Sequence, residues 1–173
     1  MKWACSILFC LLTQLVWGQT SASVSVTLPA IALLDLNNNS AITMAFQSPT
    51  EAGLPITAPA SNSTKWINLT SAVATSATRR VTAQVASGNI PNGVRLKLQT
   101  ASATGIGSGT FGTVTSPVYL TTTATTIING IGGAFTGNGN NGYNLTYSFE
   151  IQTYSQLLKT NASFSVIYTL IDN

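Results

Sequence analysis

The sequence predicts an all-β fold: a β-sandwich of about seven to nine short antiparallel strands, preceded by a cleaved signal peptide. Three observations carry this expectation. Apolar and polar residues alternate with a period of two in run after run, the pattern of strands with one buried and one wet face. Clusters of Gly, Asn and Pro punctuate those runs at short intervals, as turns between strands do. No window carries the three-to-four-residue stripe of an amphipathic helix.

The first element is the leader. Lys2 supplies a positive start, an apolar run over 3–17 is broken only by Ser6, Thr13 and Gln14, and small Gly18 closes it with Val16 two residues before. That is the layout of a secretory signal, and the run is shorter than the roughly 20 apolar residues a membrane-spanning helix needs. Cleavage after Gly18 leaves residues 19–173 as a single β-sandwich domain with no membrane span. A lipid-modified Cys10 is a poor fit beside bulky Phe9.

Both cysteines, Cys5 and Cys10, fall in the leader. The mature chain therefore has no disulfide and no thiolate ligand, and an exported domain without disulfides must hold together by its core. A domain of about 150 residues can do so, because it buries roughly 70% of the surface its unfolded chain exposes.

Strand candidates follow in order. Ala22, Val24, Val26 and Leu28 alternate with serine and threonine as a half-buried strand ended by Pro29. The apolar stretch 31–36 continues it past a bulge or corner, and Asn37, Asn38 and Asn39 turn the chain. Ile42, Met44 and Phe46 alternate again, and three prolines over 49–59 mark a loop. Trp66-Ile67-Asn68-Leu69 is a short strand, with Trp66 read as a buried residue; 71–78 has no assignable pattern. Val81, Ala83 and Val85, then Val94, Leu96 and Leu98, make a hairpin or a sheet-crossing pair with Arg95 and Lys97 facing water. Val118, Leu120 and Thr122 begin another strand, and Ile127-Ile128 precedes a glycine and asparagine tract over 130–144. Leu145, Tyr147 and Phe149 alternate, and Phe164, Val166, Tyr168 and Leu170 close the chain on one face.

Composition excludes most chemistry. The chain has no histidine, so Ser-His-Asp and Cys-His constellations and the common zinc sites are ruled out. A glycosidase pair needs only two carboxylates, but Asp35, Glu51, Glu150 and Asp172 read as turn, loop, solvent-facing strand and chain end. No catalytic residue, metal or cofactor is expected. In the mature chain Lys65, Arg79, Arg80, Arg95, Lys97 and Lys159 face those four acids; a net +2 without a basic stripe does not fit nucleic acid. Arg79-Arg80 reads as a surface pair at a strand start. The Gly105-Ile106-Gly107-Ser108-Gly109 run lacks the helix and lysine of a phosphate loop.

One tract remains open to two readings. In 130–144, Phe135 and Tyr143 flank Asn138 and Asn140, and such a loop either offers sugar hydroxyls uncharged hydrogen bonds beside a stacking ring, or tucks its aromatics under the sheet. Five N-x-S/T sequons, at Asn38, Asn62, Asn68, Asn144 and Asn161, matter only in a source that glycosylates them.

The two ends of the mature chain resemble the chaperone–usher pilins and, more closely, the spore coat protein U-like secreted bacterial domains. The resemblance rests on residues 24–28 just after the leader, on Ile42-Thr43-Met44-Ala45-Phe46, and on the final run from Phe164 to Leu170 with Tyr168 near the terminus; it covers about a third of the chain. It implies an immunoglobulin-like sandwich lacking one strand, whose groove takes the N-terminal segment of a neighbouring subunit by β-augmentation. Ala22, Val24, Val26 and Leu28 would be the donated side chains. Phe164, Val166, Tyr168 and Leu170 would line the groove and be the segment a periplasmic chaperone holds. The paired cysteines common in that family are missing, and residues 22–28 can equally be this domain's own first strand.

The expectation is a non-enzymatic structural or adhesive protein, exported through the periplasm to the cell surface and pairing with copies of itself or related fibre subunits. The alternative is a self-contained carbohydrate-binding or adhesin module that uses the 130–144 loop for a glycan.

Overall fold

The computed structural model describes residues 18–115 and 117–173. The leader expected over 1–18 lies, apart from Gly18, outside the described residues. Eleven strands form two antiparallel sheets: β1 (Ile31–Asn37), β2 (Asn62–Ala72), β3 (Arg79–Ser87), β4 (Val94–Thr100), β5 (Ser108–Gly109), β6 (Thr113–Val114), β7 (Val118–Leu120), β8 (Thr125–Ile131), β9 (Ala134–Phe135), β10 (Tyr143–Ile151) and β11 (Ser165–Asp172). The count exceeds seven to nine because β5, β6 and β9 are two-residue pairings, too short to show any alternation.

The larger sheet is organised by β2. Along one edge β2 pairs with β1, from Ile31 opposite Ala72 to Asn37 opposite Trp66. Its other edge is shared: β10 takes the first half and β9 takes Thr70 and Ser71. Beyond β10 lie β4 and β7, and beyond β9 lies β5. The smaller sheet runs β11-β3-β8-β6. Val81 to Val85 and Val94 to Leu98 therefore belong to different sheets, so the connection between them crosses the sandwich.

Alternation places the core. Ile67, Leu69, Leu96, Leu98, Tyr143, Leu145 and Tyr147 of the larger sheet face Val81, Ala83, Val85, Ile127, Ile128 and Ile131 of the smaller. Burying one such side chain contributes roughly 1.5–3 kcal/mol, which is how the described residues, with no cysteine among them, stay folded. Trp66, on the opposite face of β2 from Ile67, is only half-buried.

Two expected strands are corrected. Residues 22–28 form no strand and lie exposed; alternation shows that one face is suited to burial, and this domain's own sheets do not supply the partner. Residues 42–46 also join no ladder, though Ile42, Met44 and Phe46 turn inward and are half-buried. The nearest backbone pairing is the bridge between Gln47 and Thr57. The 130–144 tract is also less loop than expected, because β8, β9 and β10 enter it. Gly142, with φ of +86°, allows this: a Cβ there would stand 2.3 Å from the Ile67 carbonyl oxygen. The chain can thus press against β2 and deliver Tyr143 to the core, where its hydroxyl donates to the Phe111 carbonyl.

Two buried cations fix the β1 region, both unforeseen from sequence. Lys65 is 3% exposed and its Nζ donates to the carbonyls of Asn38 and Ser40, where Asn38 has a φ of +61°, a conformation asparagine tolerates. Arg79, expected at the surface, is 7% exposed. Its Nη1 donates to the carbonyls of Ile31 and Ala72 and to Ser71 Oγ, and its Nε lies 2.7 Å from Asp172 Oδ1. One guanidinium thus joins β1, β2, β3 and β11.

Arg79→Ala should lower the unfolding free energy by about 3 kcal/mol, since it orphans several buried acceptors. Asp172→Asn, whose carboxylate is exposed, should cost less than about 1 kcal/mol. Urea unfolding of both variants checks this, and equal losses would contradict it.

Candidate functional site: an open seam between the two sheets

Strands β1 and β11 are the facing edges of their sheets. Among the described residues β1 pairs only with β2, and β11 only with β3. Each therefore presents a row of unpaired peptide groups, which is an exposed template for another strand. Between them runs an apolar seam. Leu34 and Leu36 of β1 meet Val166 and Tyr168 of β11 over Ile67. The hollow then continues past Ile42, Met44, Leu96, Tyr147, Phe149 and Phe164, enclosing about 540 Å³, and on to Phe46 and Leu157.

The inward side chains here are left unusually open. Phe164, Val166, Tyr168 and Leu170 pack against the core yet remain half-exposed, as do Leu34 and Leu36. The floor is ordered: Phe149 stacks at 5.9 Å from Phe46 and edge-on at 6.2 Å from Phe164, within the favourable range for aromatic pairs. The Tyr147 and Tyr168 hydroxyls hydrogen-bond across the gap between the sheets.

The strands flanking the seam run in opposite directions. Arg79 holds Ile31, which begins β1, beside Asp172, which ends β11, whereas Leu36 lies near Val166 and Tyr168. The Arg79 end is pinned and the seam opens away from it. Of the expected site residues, Phe164, Val166 and Tyr168 share this seam, and Leu170 packs on the same side of the core. Val24, Val26 and Leu28 are 85%, 86% and 80% exposed, and Ala22 is exposed as well.

The 130–144 residues divide. Tyr143 is core, while Phe135 is 47% exposed on the outer face of the larger sheet. Asn138 and Asn140 are exposed, and Asn140 Oδ1 accepts from Asn37 Nδ2 at 3.1 Å. The long-range partners of this face, Leu33 and Asn68, are set by strand register and were invisible to a local reading.

The acids are scattered rather than paired. Asp35, read as a turn residue, lies in β1. Glu150 takes Arg95 at 2.7 Å, Tyr119 at 3.0 Å and Lys97 at 3.2 Å, and those partners, Arg95 foremost, hold its carboxyl below the usual range. A carboxylate locked in the ionised form is a poor general acid. Among the described residues no group of three metal-ligating acids forms, and no helix is long and apolar enough to cross a membrane. Another hollow, about 1020 Å³, lies around Asn89, Tyr119 and Asn161, with polar loop residues and apolar ones such as Ile90 and Leu158 in its lining.

No family model, no curated protein and no solved structure matches this chain.

Burial pushes the Tyr143 hydroxyl up to about 12. It also raises Tyr147, against the lowering effect of its bond to Tyr168, and raises Tyr168, which Tyr147 lifts further. Free tyrosine ionises near 10, so these groups stay neutral in the fold after they would ionise in the unfolded chain. Their stabilisation is complete below about pH 10 and is lost progressively above it, for Tyr143 as pH rises through about 12. Denaturant unfolding should show stability falling above about pH 10, less steeply in Tyr168→Phe. Stability that stays constant above about pH 10 would contradict the burial of these tyrosines.

Proposed function

We propose that the mature chain, from about residue 19, is an exported structural subunit of a cell-surface fibre that assembles by β-strand exchange. Residues 22–28 of one copy enter the seam of the next, between β1 and β11. The sandwich is then immunoglobulin-like with one strand's place left open, in keeping with the pilin-like and spore coat protein U-like resemblance of the termini. A periplasmic chaperone would occupy the same seam before exchange.

The observation that carries this reading is a match between two unpartnered features. Phe164, Val166, Tyr168 and Leu170 offer four inward positions, half-exposed, along the unpaired edge at β11. Ala22, Val24, Val26 and Leu28 offer four alternating side chains with no place in their own domain. Each set spans seven residues, roughly 20 Å of extended chain. Burying Val24, Val26 and Leu28 would contribute roughly 1.5–3 kcal/mol each, with ladder hydrogen bonds adding about 0.5–1.5 kcal/mol apiece. That offsets an association cost of about 4–15 kcal/mol.

A second observation favours a neighbour's seam over the chain's own. To fold back, residues 22–28 must reverse across Pro29 and Ala30, because β1 begins at Ile31. Two-residue hairpin turns need a positive φ at their first central residue, and proline is fixed near −65°. The returning strand would also lie antiparallel to β1 and hence parallel to β11, the weaker pairing. A strand from another molecule needs no turn at Pro29 and can take the other direction, antiparallel to β11 and parallel to β1.

The mature protein should therefore form detergent-resistant multimers, and deletion of 19–29 should leave a folded monomer by light scattering. A peptide of residues 19–29 added to that monomer should stabilise it by about 2.7 kcal/mol at a hundred times its Kd; Val26→Asp in the peptide should abolish the gain. Multimers that persist after deletion, or a peptide without effect, would sink the proposal.

A further inference from the structure

On the opposite face of β1 from the seam, the larger sheet carries a second unassigned feature. Register puts Leu33 beside Thr70 and Thr70 beside Phe135 on the outer face, with Asp35 beside Asn68 one step along. Leu33 is 63% and Ile106 77% exposed. With Asn138 and Asn141 they line a hollow of about 670 Å³. Large apolar side chains left to water together mark an interaction site more often than chance exposure.

A second, independent observation points to a ligand. Asn68 lines this hollow and is 4% exposed. Its Nδ2 donates to the Asn141 carbonyl, whereas its Oδ1 has no hydrogen-bond partner. A buried acceptor without a donor costs about 1–3 kcal/mol; because the atom is closed to solvent, a hydroxyl or amide satisfies it only if the Asn68 side chain turns toward the hollow.

We infer that this hollow is a binding site for a neutral oligosaccharide, with Phe135 and Ile106 under the sugar's apolar face and the Asn68 side chain turning outward so that its Oδ1 accepts from a hydroxyl. The chemistry of the lining selects that class. Sugars present C–H faces for an apolar platform and many hydroxyl donors, and this lining has apolar side chains, neutral amides and the single carboxylate of Asp35. It contains no cation, so a sialylated or sulfated glycan would meet Asp35 without compensation. The site also corrects the sequence expectation: Phe135 is retained as a platform, while Tyr143 is replaced by residues from β1, β2 and the loop before β5. It does not depend on strand exchange, since the seam lies on the other side of β1.

The test uses the intact mature chain on a printed panel of neutral and sialylated oligosaccharides, followed by calorimetry with the best neutral one. At least one neutral oligosaccharide should be retained above its sialylated counterpart. Phe135→Ala should weaken binding about 10-fold, and Ile106→Ala, at an exposed position that leaves the fold intact, should weaken it measurably. Tyr119→Ala, away on β7, should bind like the unaltered chain. Absence of any neutral glycan signal, preference for sialylated forms, or unchanged binding by Phe135→Ala and Ile106→Ala would overturn the inference. So would an oligomeric state altered by Phe135→Ala without loss of glycan, which would make the patch a protein contact.

Discussion

The Arg79 guanidinium is the contact on which the shape of this domain turns. Desolvating a cation is costly unless its donors find partners, and here Nε goes to Asp172 and Nη1 to the Ile31 and Ala72 carbonyls and Ser71 Oγ. The consequence is geometric. The first residue of β1 and the last residues of β11 are held together although they belong to different sheets, so the two edges cannot drift apart at that end. Farther along, Lys65 pins the turn that leaves β1 through the Asn38 and Ser40 carbonyls. Between those fixed points, β1 and β11 face each other with no strand paired between them among the described residues.

An edge strand left open in this way is usually blunted by charge, proline or a covering loop. Here β11 and the residue before it instead present Val166, Tyr168, Leu170 and Phe164 toward the core, half covered, with aromatic and aliphatic residues of β4 and β10 beneath them. Segment 40–46 lends Ile42 and Met44 to the floor without forming a ladder, so it fills volume and leaves backbone groups unpaired. The detached 22–28 stretch has the complementary defect, apolar side chains with no floor. The strand exchange we propose would remove both defects in one step, and Pro29 would turn that step toward two molecules rather than one.

Much of this was legible in the sequence. Strong alternation located β3, β4, β10 and β11 and most of their inward residues, because a period of two depends only on local pattern. The same logic misplaced 22–28 and 42–46 as ordinary strands. Alternation reports which face is suited to burial and is silent on where the partner lies. The sequence places Arg79 at the surface and gives no reason to bury Lys65, because their partners come from β1, β11 and the Asn38 turn, far away in sequence. Asn68 had the same blind spot: its neighbours across β1 and β9 are fixed only by register. Phe135 and Tyr143 looked equivalent in a glycine-rich tract, and the close approach of Gly142 to β2 separates them, sending one ring to the core and the other to the surface.

The central claim, that the seam beside β11 receives residues 22–28, is tested most directly by hydrogen exchange on the lone subunit and on the assembled protein. In the lone subunit the β11 amides that point away from β3, and all those of 22–28, should exchange rapidly. In the assembled protein both sets should become protected together while the β3–β11 amides barely change. Protection of 22–28 without protection of the outward amides of β11, or no change in either, would contradict the account.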